Sequence, residues 1–114
     1  MTTLYGISNC DTMKKARRWL DQRQIGYHFH DYRKDGLEEQ ALRHWVAQLG
    51  WSLLLNRRGM AWRKLDPAVR EPLDEERAIA LMLENPAMIK RPLLEHQGEL
   101  HLGFSEELYH RLLA

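Results

Sequence analysis

The spacing of apolar residues changes period along the chain. In Thr2 to Ile7 the residues Leu4, Tyr5 and Ile7 read as a short strand. From Asp11 to Arg23 the apolar positions Met13, Ala16, Trp19 and Leu20 recur at helical spacing, with Lys and Arg between them. Ile25-Gly26 stops this helix, with Gly26 as a left-handed cap. Tyr27 to Tyr32 is aromatic and alternating, and predicts a second strand. Strand, helix and strand with tight links form a parallel crossover unit. The polar turn Ser8-Asn9-Cys10, running into Asp11, then lies at the carboxyl end of the first strand and the amino end of the first helix. In open α/β folds that is a favoured place for a site.

The middle of the chain is helical. Ala41, Leu42, Trp45, Val46 and Leu49 form one stripe, closed by Gly50. Asp66-Pro67 has the form of an N-cap followed by proline at the first helical position. Asp74-Glu75-Glu76 opens another helix with Ala78, Ile79, Met82 and Leu83 on one face, and Asn85-Pro86 ends it. The tail returns to strands: Leu93 to Glu95 and Glu99 to Leu102 flank His96-Gln97-Gly98, a hairpin turn. Ser105 caps a last helix, with Glu106 and Glu107 in its first turn and Leu108, Leu112 and Leu113 as anchors. The pattern predicts a single domain over residues 1–114. Its class is α/β: βαβ plus a C-terminal ββα on a mixed sheet, with a mainly helical insertion over residues 35–88.

Composition narrows the function. With 44% apolar and 29% charged residues the chain suits a soluble globular protein, and 114 residues bury a core without disulfide staples. The single cysteine rules out an internal disulfide. The N-terminus carries no signal-peptide pattern, and the apolar run Trp51 to Leu55 is too short to span a bilayer, so a cytoplasmic location without membrane contact is expected. A net charge of +1 favours neither nucleic acid nor membrane as partner.

Cys10 is the leading candidate for chemistry. At a helix start, unpaired N–H groups and the helix dipole stabilise a thiolate. A free thiol titrates near ~8.5, and a fall to roughly 6.5 makes about three quarters of it thiolate at pH 7. Lys14 favours that fall and the adjacent Asp11 opposes it, while an inert, partly buried thiol is the alternative. Met13 stands where a second cysteine of a redox pair would be, so any redox cycle needs an external thiol, with glutathione the obvious one. Arg57, Arg58, Arg63 and Lys64 form one basic cluster and Lys90-Arg91 another, suited either to oxyanions and carboxylates or to a solvated loop. Without aromatics interleaved along a groove, they do not suggest nucleic-acid binding. His28 and His30 share a strand face, but no third ligand is near and no metal is expected.

The segment Leu4-Tyr5-Gly6-Ile7-Ser8-Asn9-Cys10-Asp11-Thr12-Met13-Lys14-Lys15-Ala16 resembles the start of the arsenate reductase (ArsC)/Spx family, closest to its YffB-like subgroup. Leu54 to Gly59, Met82 to Leu94 and Leu102 to Glu106 match further blocks in the family's order. The resemblance implies a thioredoxin-like core with a helical insertion. It implies Cys10 as nucleophile and Arg91, before a cis Pro92, as an anion-binding residue. Arg58, with Arg57 as the alternative, matches the family's other basic residue; Thr12 and Asn9 belong to its cysteine loop.

The chain departs from the arsenate enzymes in three places. No histidine stands near Gly6, the segment His101-Leu102-Gly103-Phe104 has no third arginine, and Asp11 adds negative charge after the cysteine. A multiply charged oxyanion would be held less well with one cation fewer. The resemblance therefore implies a glutathione-dependent thiol reductase with no bound cofactor, using glutathione as co-substrate on a small thiol or disulfide substrate, with a glutaredoxin as a further possible partner. The competing reading is an Spx-like protein that contacts RNA polymerase without a disulfide switch.

Overall fold

The computed structural model describes residues 1–71 and 73–113. In chain order the elements are β1 (Thr2–Gly6), α1 (Asp11–Gln22), β2 (His28–Asp31), α2 (Tyr32–Asp35), α3 (Glu39–Leu49), α4 (Trp51–Leu54), α5 (Met60–Arg63), α6 (Pro67–Arg70) and α7 (Glu75–Glu84). A 3-10 turn (Pro86–Met88), β3 (Leu93–His96), β4 (Glu99–Leu102) and α8 (Glu106–Leu113) follow. The chain divides into two compact units, one of residues 1–36 with 91–114 and the other of residues 37–90.

The first unit is a thioredoxin-like α/β core. Its sheet has the order β2-β1-β3-β4, parallel between β1 and β2 and antiparallel at the other two pairings. The parallel pair needs the crossover that α1 supplies. Leu4, Met13, Ala16, Trp19, Leu20, Leu94 and Tyr109 form its buried core cluster. Tyr109 is fully buried, with edge-on contacts to Trp19 at 5.8 Å and Phe104 at 4.8 Å, so it anchors α8 more than the three leucines, which are half-buried. The Ser105 hydroxyl caps that helix, accepting from the Leu108 N–H at 3.0 Å.

Three local expectations change. The residue with positive φ after α1 is Gln24 (φ 57), not Gly26. The Ile25 N–H bonds to the Leu20 carbonyl and the Gln24 N–H to that of Asp21, and half-buried Ile25 packs against the core. The hydrophobic contact of this Schellman ending offsets the strain of a non-glycine residue there. The second strand ends at Asp31, because its carboxylate caps α2 and Tyr32 already begins that helix. The hairpin turn is Gln97-Gly98 alone, both at positive φ, and His96 remains in β3 opposite Glu99.

Among its described residues the second unit is mainly helical. Trp45, Val46 and Leu42 of α3 and Ala78, Ile79, Leu81 and Met82 of α7 supply its buried side chains, with Leu83 only half-buried. Asp66 and Asp74 cap α6 and α7, accepting from the Ala68 and Arg77 N–H groups at 2.9 Å each. Leu55 pairs with Ile89, and the Lys90 N–H bonds to the Leu54 carbonyl at 2.8 Å. That pairing brings the loop after α4 beside Lys90. Among the described residues no helix is long and apolar enough to cross a membrane.

Gly6 is buried at the end of β1, and a Cβ there would stand 2.5 Å from Met13 Sδ and 2.9 Å from its Cε. Met13 has no exposed surface into which it can swing. Gly6→Ala is expected to lower stability by about 1–3 kcal/mol through overpacking. In Gly6→Ala/Met13→Ala the two losses are expected to be non-additive, because each change makes room for the other. Urea denaturation of the four proteins checks this; additive losses would show that the close approach does not govern position 6.

Candidate active site

Cys10 occupies the N-cap of α1 with extended backbone (φ −144, ψ 129), and its carbonyl accepts the first helical bond from the Lys14 N–H at 2.9 Å. Ser, Asp and Asn favour this position because their side chains accept from the second and third helical N–H groups. Cysteine places sulfur there instead. The neutral thiol, a weak acceptor, closes no cap hydrogen bond. The Met13 and Thr12 N–H groups lie near enough to favour its charged form over its neutral one.

Partial burial pushes the Cys10 thiol up. The Met13 N–H, the Arg91 guanidinium and the Thr12 N–H outweigh that effect, and together they hold the thiol below its ordinary value. The direction that Lys14 and Asp11 left open is thus decided by Arg91 and two backbone groups; Lys14 and Asp11 themselves are exposed on α1. Arg91 precedes Pro92 across a cis peptide bond. The Pro92 carbonyl accepts from the Gly103 N–H at 2.9 Å, tying this segment to the end of β4.

The structure brings Cys10, Arg91 and Thr12 together, Thr12 through its backbone. Asn9 is exposed in the cysteine turn. Arg58 lies in the helical unit, where its N–H donates to Asn56 Oδ1 at 3.1 Å. Arg57, Arg58 and Lys90 line one cavity of about 360 Å³ with Ser52, Leu55 and Asn56. Arg57 also lies over the Trp51 ring at 5.4 Å. Both arginines border this cavity, so it does not choose between them. Among the described residues no group of three or more His, Cys, Asp or Glu is placed to hold a metal.

Two residues of the first unit escaped the sequence reading. Asp31 is buried at the end of β2, where its carboxylate accepts from the Arg33 N–H at 2.9 Å. Burial raises its pKa, but the Arg33 N–H and the nearby Ser8 and Lys34 groups more than offset that and hold it below the ordinary carboxylate value. Tyr32, next in the chain, is buried beside Tyr5, with rings stacked at 6.5 Å. Burial raises the Tyr32 pKa and the nearby Arg91 charge opposes the rise. An acid between an aromatic strand and a short basic segment is the signal the sequence offers, and it reads equally well as an ordinary solvated side chain.

Residues 5–112 match the model of the ArsC family. The solved YffB (PA3664) protein is 51% identical with a TM-score of 0.95, each chain covered in full. An arsenate reductase (ArsC) related protein from Brucella melitensis is 48% identical with a TM-score of 0.79, covering 96% of this chain and 92% of the other. The global transcriptional regulator Spx of Streptococcus pyogenes is 28% identical over 109 residues, 94% of this chain and 81% of its own length.

The rate of Cys10 alkylation against pH is expected to show a midpoint below ~8.5, and Arg91→Met is expected to move it upward. A wild-type midpoint at or above that value would contradict the geometry. The same shift enters stability. Between the lowered folded value and the unfolded one, the native thiol holds fewer protons than the unfolded chain. This contribution grows as pH rises through that window, is complete above the unfolded value and is lost as pH falls through the folded one. The stability of wild type relative to Cys10→Ser is therefore expected to increase with pH there, as measured by urea denaturation.

Proposed function

The chain belongs to the ArsC family, and from that premise we propose that it is a glutathione-dependent thiol reductase with Cys10 as nucleophile. The observation that carries the reading is the place of Cys10 at the N-cap of α1, where the helix-start N–H groups and the Arg91 guanidinium favour its charged form. A thiolate at neutral pH attacks disulfide sulfur, whereas a thiol does not. The substrate is a mixed disulfide between glutathione and a second thiol.

Cys10 Sγ attacks the glutathione sulfur, the original S–S bond breaks, and the second thiol leaves with the electron pair and takes up a proton. A second glutathione, as thiolate, then attacks the Cys10-bound glutathione sulfur. Oxidised glutathione departs and the Cys10 thiolate is regenerated. The two electrons come from glutathione, so no bound cofactor is needed. Arg91 holds a negative group of the tripeptide, and the resemblance assigns Arg58, or Arg57, to the same kind of contact. A glutaredoxin is the alternative resolving thiol, and a reducing cytoplasm is the setting in which the cycle turns over.

Dedicated arsenate reduction is less well supported. Gly6 stands near the place where the arsenate enzymes carry a histidine, and Met13 leaves no room there even for a Cβ. The loop after β4 holds Gly103 and Phe104 where a third arginine would serve. The likeness to Spx favours a second reading, contact with RNA polymerase. Met13, fully buried, replaces the second cysteine of a disulfide switch, so such contact would not be switched by an internal disulfide.

Incubation with oxidised glutathione is expected to give a single glutathionyl adduct by intact mass, absent in Cys10→Ser, and added glutathione is expected to release it. Reduction of a glutathione mixed disulfide is expected to fall at least about a hundredfold in Cys10→Ser, as when a covalent nucleophile is removed. A wild type that forms no adduct and reduces no disulfide, yet is retained by immobilised polymerase alpha subunit, would move the assignment to the second reading.

A further inference from the structure

The open side of α1 is basic. The helix Asp11–Gln22 carries four Lys and Arg against two Asp, a net +2, where the whole chain has +1. Two cations of this region are already engaged. Arg17 lies over the Phe29 ring at 4.2 Å and donates to the Tyr27 hydroxyl at 3.4 Å, and Arg23, just past the helix, lies over the Trp19 ring at 4.2 Å. Lys15 and Arg18 are exposed and, among the described residues, make no hydrogen bond or ion pair. They stand three positions apart on one side of the helix, with Gln22 four further on. These three side chains line a cavity of about 370 Å³ together with the nearly buried Trp19. Phe104 and Glu106, from the start of α8, complete the lining.

Cys10 and Phe104 pack against the same core cluster, and the cavity begins five residues along the helix that Cys10 starts. At about 1.5 Å of rise per residue, Lys15 stands about 7.5 Å from Cys10 along the helix axis, Arg18 about 12 Å and Gln22 about 18 Å. Glutathione carries its sulfur on the middle residue, so each end reaches only about 4–7 Å beyond it and stops at the near edge of the cavity. An extended polypeptide advances about 3.5 Å per residue, so a longer chain reaches Arg18 and Gln22 about three to five positions from its own cysteine. We propose that this cavity docks an acidic polypeptide: the second thiol of the mixed disulfide belongs to a protein chain whose Asp or Glu side chains, about three to five positions from its cysteine, meet Lys15 and Arg18. The proposal rests on the reading of this protein as a reductase of glutathione mixed disulfides. Gln22 offers a donor and an acceptor to the docked backbone, and Trp19 and Phe104 offer apolar surface to an intervening side chain. Glu106, a carboxylate in the same lining, repels the acidic chain and keeps its carboxylates on the α1 side.

Exposed charges are screened by salt, so docking here is salt-sensitive. It is read first without catalysis, on Cys10→Ser protein, by fluorescence anisotropy of two dye-labelled peptides, one with Asp and Glu at those positions and one with Asn and Gln. The acidic peptide is expected to bind at least about threefold tighter at low salt and to lose that margin at high salt. Lys15→Gln/Arg18→Gln is expected to abolish the margin and Glu106→Gln to widen it. Arg63→Gln/Lys64→Gln removes the same charge from exposed positions in the other unit and is expected to keep it. The same peptides, presented to wild type as glutathione mixed disulfides, are expected to differ in kcat/KM by about threefold to tenfold in favour of the acidic one. Equal binding of the two peptides, a margin that survives Lys15→Gln/Arg18→Gln, or one lost equally in the Arg63/Lys64 control would overturn the docking site. A protein that shows the binding margin but reduces neither mixed disulfide would support the docking surface and overturn the reductase reading instead.

Discussion

The N–H groups of Thr12 and Met13 at the start of α1 have no partner within the helix, and Cys10 stands at the N-cap before them. The charged sulfur satisfies those donors and the neutral one does so poorly, so the helix terminus itself favours ionisation. Arg91 adds a full positive charge from the segment before β3. Against these stands partial burial of the thiol, and the balance lowers its pKa. The rest of the first unit can be read as the means of holding one sulfur at one helix end.

Packing does part of that holding. Met13 belongs at once to the donor set, through its N–H, and to the core, through a side chain that fills the space above Gly6. A second cysteine at position 13 would lose that packing. The buried thioether therefore suits a one-cysteine cycle resolved from outside and not an internal disulfide. Asp31 ends β2 opposite Gly6 and caps α2, accepting from the Arg33 N–H at 2.9 Å. The helical unit carries its own cation-lined cavity, built where the loop after α4 meets Lys90 through the pairing of Leu55 with Ile89.

Much of this was legible in the order of the residues. The strand and helix periods of β1, α1, β3 and β4, the caps at Asp66, Asp74 and Ser105, and the exposed turn before α1 all follow from local spacing and capping chemistry. Such signals act over a few residues, so they survive without tertiary context. Short helices such as α2, α4 and α5 were not legible, because four residues carry too little periodicity to register. The end of α1 was misassigned to Gly26 because glycine is the usual left-handed residue, and the hydrophobic seat that lets Gln24 adopt that conformation is a contact, not a composition.

By itself the sequence determined the α/β order of elements, the family resemblance and the position of the lone cysteine at a strand-to-helix turn, since all three depend on local pattern and residue identity. Only the tertiary structure decided which way the thiol is shifted, because that balance sets burial against Arg91, which lies 81 positions away in the chain numbering. It alone revealed Asp31 as buried, and it alone showed that Gly6 is required by the Met13 side chain. Long-range hydrogen bonds, desolvation and close packing are properties of residues brought together by folding, and no local spacing encodes them.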